Sequence, residues 1–203
     1  MMAGRTALKL AVDLLHVPAQ VRLVRSEPLP DGVVLLLRIA AGEVDAEREA
    51  VAMTRRSVDT IRRAAAFFIE QILFAPDADS YRVLGADAGA GAGELRRNAG
   101  LLLKWLHPDR DRNDPRAVFA SRVTGAWNDL KTPERRAAYD AQHRKVDAGR
   151  RHSKSGARGK RKSPLASVLA RRRARQREAW LAYQAGKLGF FRRALAMLLQ
   201  RPV

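Results

Sequence analysis

The side chains best placed to do chemistry are His107 and Asp109, which flank Pro108 in the stretch LLLKWLHPDRDRN (101–113). An imidazole beside a carboxylate suggests acid–base work, but the rest of the chain supplies no partners for it. None of the other three histidines lies in a metal-ligand or triad pattern, and zero cysteines exclude disulfides, thiolate zinc sites and cysteine nucleophiles. GAGAGEL (89–95) has the wrong glycine spacing for a dinucleotide loop, and no strand precedes it. The sequence therefore predicts no catalytic residues, no metal and no cofactor. Taken alone, His107 reads as a helix C-cap whose cation suits the helix dipole, and Asp109 as a turn former.

The elements that must hold this tripeptide are two amphipathic helices. Leu95, Ala99, Leu102 and Leu106 fall on one helical stripe; Phe119, Val123, Ala126 and Leu130 fall on a second, which Trp127 widens. About ten polar residues join them, which predicts an antiparallel helix hairpin. Proline cannot continue a helix and disfavours helical geometry at the residue before it. His107-Pro108-Asp109 thus fixes one backbone exit and projects its two polar side chains from a rigid scaffold.

Around that hairpin, SYRVLG (80–85), ELRR (94–97), HPD (107–109), AW (126–127) and ERRAAYD (134–140) occur in the order and near-spacing of a J domain, the DnaJ-like co-chaperone module. The resemblance covers about 65 residues, from Asp77 to about Ala141. It implies a partner, a DnaK-type chaperone bound in its ATP state, and an activity exerted on that partner: acceleration of its ATP hydrolysis, in aid of protein folding or client delivery. It implies that His107, Pro108 and Asp109 are the trigger, with the Asp109 carboxylate pairing with an arginine of the ATPase. Arg96, Arg97 and Lys104 match the positive helix face that attracts the acidic partner. Tyr81, Leu84 and Tyr139 match residues that pack on the hairpin, joining Leu95, Leu102, Leu106, Phe119, Val123, Trp127 and Leu130 in the core. The protein itself would be an activator of an ATPase rather than an enzyme. One departure stands out: Ala99, Gly100 and Leu101 lie where J domains commonly carry an aromatic followed by basic residues. The positive face is thinned, and glycine weakens the helix locally. Neither the zinc-binding cysteines nor the long Gly/Phe-rich segment of full-length DnaJ is present.

The remainder of the chain predicts an all-α protein in four parts: a helical N-terminal domain (1–75), the J domain (76–143), a basic disordered linker (144–164) and basic amphipathic C-terminal helices (165–203). In the first part, Pro30 opens a helix that runs to about Ala41 and ends at Gly42. Asp45 and Ser57 are candidate N-caps. Val58, Ile61, Ala65, Phe68 and Ile72 form an apolar stripe, and VRLVR (21–25) suggests a short strand. AMTRRSVDTIRRA (52–64) resembles the turn and second helix of a helix-turn-helix, with Thr60 and Ile61 in fitting places. Its near-neutral charge and apolar continuation favour instead a structural unit or a client or partner platform. Ala75-Pro76-Asp77 marks the boundary with the next part.

Charge is concentrated at the far end. The net charge is +18, and residues 141–203 hold 18 Lys/Arg against 2 Asp/Glu. Lys160, Arg161 and Lys162 precede Arg171, Arg172, Arg173, Arg175 and Arg177, which lie within seven residues of an expected helix. Such density suits RNA, a ribosome or other phosphate backbones. Trp180, Leu181, Tyr183, Phe190, Phe191, Leu195 and Leu198 would suit an anionic membrane surface instead. A third reading is a helix docked on the N-terminal domain with a solvated basic flank. The apolar start MMAGRTALKLAVDLLHVPAQ is broken by Lys9 and Asp13 and has no small-x-small site, so a cytoplasmic location is expected.

Overall fold

In a computed structural model, the structure describes residues 6–107, 116, 119–153, 171, 174–175, 177–183 and 185, with backbone alone for 145–153. These residues are predominantly helical and include no strand. The first helix, α1 (Ala7–His16), buries Leu8, Ala11 and Leu14. A single 3-10 turn, Pro18–Gln20, leads into α2 (Val21–Ser26). The expected strand at 21–25 is therefore a helix. Val21 and Val24, three apart, share the buried side of one turn, whereas a strand would have turned Leu23 inward with Val21, and Leu23 is 53% exposed.

The next helix, α3 (Val33–Ala40), begins three residues after Pro30 because Gly32 is left-handed, at φ +85°. Its end is the expected one. Gly42 is left-handed, its N–H bonds Ile39 O at 3.0 Å, and Glu43 N–H bonds Arg38 O at 3.0 Å. That pair of bonds is a Schellman cap. In α4 (Val44–Thr54) the N-cap is Glu43, not Asp45, which lies in the first turn where its charge still suits the helix dipole. Ser57 caps α5 (Val58–Phe68) as expected, accepting a bond from Thr60 N–H at 3.3 Å.

A π-turn, Ile69–Leu73, prolongs α5 and closes with Phe74 N–H on Ile69 O at 2.9 Å. The wider turn lets Ile69, Ile72, Leu73 and Phe74 all be fully buried. Ile61, Ala65, Phe68 and Ile72 of the predicted stripe are buried, with Val58 half-buried at its start. Ile61 is thus core. Arg62 is held by Glu47 through two bonds of 2.6 and 2.8 Å, which tie α5 to α4.

Past the Ala75–Asp77 boundary come α6 (Ser80–Val83), α7 (Ala92–Trp105), α8 (Ala120–Leu130) and α9 (Pro133–Ser153). The helix α9 extends ten residues beyond His143, so the first part of the expected disordered linker is helical. Its Ala, Gln, Arg and Lys residues favour helix and no proline interrupts them. Residues 154–170 and 186–203, the latter with the expected helix at 189–200, lie outside the described residues, and with them Lys160, Arg161, Lys162, Phe190, Phe191, Leu195 and Leu198; Arg172 and Arg173 lie outside them too. The described residues between 171 and 185 are helical.

The apolar core runs without a break across the boundary. Val24, Leu37, Phe68, Leu84, Leu102, Phe119 and Val123 belong to one cluster. Gly85, at φ +65°, sits so close to α3 that an added Cβ would stand 2.9 Å from Val33 Cγ1. Three arginines donate to main-chain carbonyls, Arg25 within the N-terminal part and Arg82 and Arg122 across the seam. Arg25 bonds Gln71 O at 2.8 Å, Arg82 bonds Glu27 O and Val24 O at 2.9 and 3.0 Å, and Arg122 bonds Phe74 O at 2.6 Å and Ala75 O. Burial lowers the pKa of Arg25 and Arg82, because their charge is partly removed from water. Among the described residues, no helix is long and apolar enough to cross a membrane, and no group of His, Asp or Glu could hold a metal ion.

Candidate functional site

The hairpin forms as its two stripes require. Leu95, Ala99, Leu102 and Leu106 are buried on α7, and Phe119, Val123, Ala126 and Leu130 are buried on or beside α8. Contacts at both ends make the pair antiparallel. At one end, Phe74 stacks on Trp105 at the close of α7 and meets Phe119 at a tilt at the opening of α8, with ring centroids 6.3 and 4.8 Å apart. At the other, Arg136 on α9 donates to Ala88 O and Ala90 O, just before α7, at 2.6 and 2.7 Å. Asn98, fully buried, donates to Leu84 O at 3.0 Å and fixes the end of α6 against α7.

The last regular bond of α7 runs from Leu106 N–H to Leu102 O at 3.0 Å. Leu106 is buried and the next residue, His107, is exposed, so the chain turns outward at the predicted position. Pro108 and Asp109 lie outside the described residues. Arg96, Arg97 and Lys104 are all exposed on the same helix, opposite the buried stripe. Arg97 and Lys104 are seven residues apart, two turns along one line of the helix, and Gly100 lies between them facing open space. The thinning of positive charge expected from sequence is thus a real gap in this face.

Behind the hairpin, α6 and α9 interlock. The Tyr81 hydroxyl donates to Asp140 Oδ1 at 2.9 Å and accepts from Arg136 Nε at 2.9 Å. The guanidinium of Arg136 also lies 5.2 Å from the centroid of the Tyr81 ring. The Tyr139 hydroxyl accepts from Ser80 N–H at 2.7 Å, and its ring meets Tyr81 edge-on at 5.8 Å. Burial pushes the Tyr139 phenol up to about 12, against the opposing pull of the Ser80 bond. Tyr81 shifts upward too, from burial first and then from Asp140, against the pull of Arg136. Tyr81 and Leu84 are buried; Trp127 and Tyr139 are half-buried and packed on the core.

Sequence reasoning missed the polar residues that hold this frame: Asn98, Arg122 and Arg136. A signal existed for Arg122. It stands three residues after Phe119 and directly before Val123, hence on the apolar side of α8. A charged residue on that side must reach a buried acceptor. Trp180, over which Arg25 lies at 5.1 Å, agrees with the docked-helix reading of the C-terminal segment; the seat of Tyr183, which meets Phe119 of the J domain edge-on at 4.9 Å, was not foreseen.

Curated proteins resemble part of this chain. The DnaJ chaperone protein of Ruegeria sp. (strain TM1040) is 43% identical over 63 residues, 30% of this chain and 16% of that protein. Over those residues the chain is similar to the J-domain part of DnaJ-like chaperones. The DnaJ protein of Jannaschia sp. is 37% identical over 73 residues, covering 35% of this chain and 19% of its own length. That of Rhodospirillum centenum is 36% identical over 83 residues, covering 40% and 22%. The J-domain likeness is therefore to a fifth or so of each relative's length, close in size to the motif-bearing stretch 77–141. No family model matches, and no solved structure matches. The likeness to these chaperones supports a J-domain co-chaperone family over that part of the chain.

Proposed function

We propose that this J-domain protein binds a DnaK-type chaperone in its ATP state and accelerates that chaperone's ATP hydrolysis, delivering or retaining a client. The observation that carries this reading is the placement of His107, exposed where an amphipathic helix stops, on the same helix that exposes Arg96, Arg97 and Lys104. The His107-Pro108-Asp109 tripeptide is the trigger. Its Asp109 carboxylate pairs with an arginine of the ATPase, and the positive face of α7 draws in the acidic partner surface. The chain performs no bond chemistry of its own in this scheme; it biases a partner's equilibrium by binding one state better. The gap at Gly100 weakens that attraction relative to a fully basic face, or tunes it to one partner.

Single-turnover ATP hydrolysis by the cognate chaperone tests the proposal. The protein accelerates the reaction, and His107→Gln or Asp109→Asn abolishes the acceleration. Losing a charge-assisted bond of about 1.5–3 kcal/mol corresponds to roughly 10- to 150-fold weaker coupling. Equal acceleration by wild type and both variants would place the activity elsewhere.

A further inference from the structure

Among the described residues, the C-terminal helix buries one face and exposes the other. Tyr183 is 4% exposed and belongs to the central core cluster, seated on Phe119. Trp180 is half-buried beneath the guanidinium of Arg25, which Gln71 holds in place through its main-chain and side-chain oxygens. The two largest apolar side chains among the described residues of this helix are thus committed to the body of the protein. Arg171, Arg175 and Arg177 are exposed on the same helix. Arg22, one turn before Arg25 on the adjoining α2, is exposed as well.

This division discriminates between partners. A helix that lies on a bilayer must sink its aromatic and aliphatic side chains into the acyl boundary. Here the indole and phenol rings are packed against protein, leaving Leu181, 56% exposed, as the large apolar side chain facing out. What the docked helix offers outward, beside one carboxylate at Glu178 and Leu181, is three guanidinium groups, and guanidinium binds phosphate through a planar fork of donors. The surrounding sequence multiplies that offer: residues 141–203 carry 13 Arg and 5 Lys against 2 acidic residues.

We propose that the docked C-terminal helix is a binding surface for the phosphate backbone of a nucleic acid, with Arg171, Arg175 and Arg177 as contacts. Its seat on Phe119, the residue that opens α8 after the His107 corner, anchors the bound polyanion beside the J domain. Phosphate contacts of this kind carry little base specificity. Binding is therefore sequence-tolerant and strongly salt-dependent.

The test uses the full chain, a fluorescent single-stranded RNA and a duplex DNA, with affinity measured across a range of salt concentration. Replacing Arg171, Arg175 and Arg177 together by Gln weakens binding and makes the slope of log K against log salt shallower by about 2 to 3, since each phosphate contact contributes about 0.7 to 0.9. The matched control replaces Lys9, Arg48 and Lys131 by Gln, three exposed cations of α1, α4 and the turn between α8 and α9. It removes the same charge and leaves the slope within about half a unit. An equal change in both variants would show diffuse electrostatics and overturn the proposal. So would binding to phosphatidylserine vesicles with no binding to either nucleic acid. Because chaperone stimulation is read in a separate assay through His107, failure of one proposal leaves the other standing.

Discussion

The seam between the N-terminal helices and the J domain depends on Arg122, and replacing it by Met tests whether the two halves unfold as one. Arg122 is 6% exposed and donates to the carbonyls of Phe74 and Ala75. Both carbonyls lie where the π-turn segment ends and regular helical bonding stops. Two bonds from a charged donor are worth about 3–6 kcal/mol together. Removing the buried guanidinium recovers part of its desolvation cost, and Met fills much of its volume, so a net loss of about 2–4 kcal/mol is expected. For a chain of this size a loss of about 3 kcal/mol lowers Tm by roughly 6–12 °C. Urea unfolding followed by both far-ultraviolet circular dichroism and tryptophan fluorescence gives the measurement. Coincident transitions shifted to lower urea at unchanged slope support one cooperative core. A loss under about 1 kcal/mol would refute the reasoning. So would a fluorescence transition that moves while the helical signal of the N-terminal half stays in place.

Gly100 faces open space on α7, so Gly100→Ala stabilises the protein by about 0.5–1 kcal/mol, seen as a higher urea midpoint. Gly100→Lys fills the gap between Arg97 and Lys104 and lowers the concentration needed for half-maximal chaperone stimulation. Alkaline titration tests the interlock of α6 and α9. A phenol raised to about 12 from an ordinary 10 favours the neutral form in the fold. Its contribution is fully present below about pH 10 and is lost as pH rises through 12, a change on the order of 2 kcal/mol. Tyr81 acts in the same direction. Stability measured from pH 9 to 12 should fall less steeply in Tyr139→Phe than in wild type; identical slopes would remove Tyr139 from the account.

Much of the site was legible in the sequence because its signals are local. The stripes on α7 and α8 follow from a period of 3.6 residues, the Ser57 cap from a hydroxyl three residues before its N–H, and the stop at Gly42 from a left-handed backbone that glycine adopts freely. The outward turn after Leu106 follows from the restriction that Pro108 places on the residue before it. VRLVR misled because five residues are too few to separate a two-residue period from a helical one, and the burial of Val21 and Val24 together decided for the helix.

The destinations of the arginines were not legible. Thirty-one arginines look alike along the chain, yet Arg25, Arg82 and Arg122 are structural ties while Arg97 and Arg175 face water. A long cationic side chain reaches whichever unpaired carbonyl the fold brings within range, and the carbonyls of Arg82 and Arg122 stand 47 to 58 residues away in the chain. The same holds for Tyr183 on Phe119. The amino-acid order by itself determined the apolar sides of α5, α7 and α8, the caps at Ser57 and Gly42 and where the His107 corner falls. Tertiary packing alone decided which charges are buried against backbone and which remain to meet a partner, because that choice depends on distances between segments far apart in the chain.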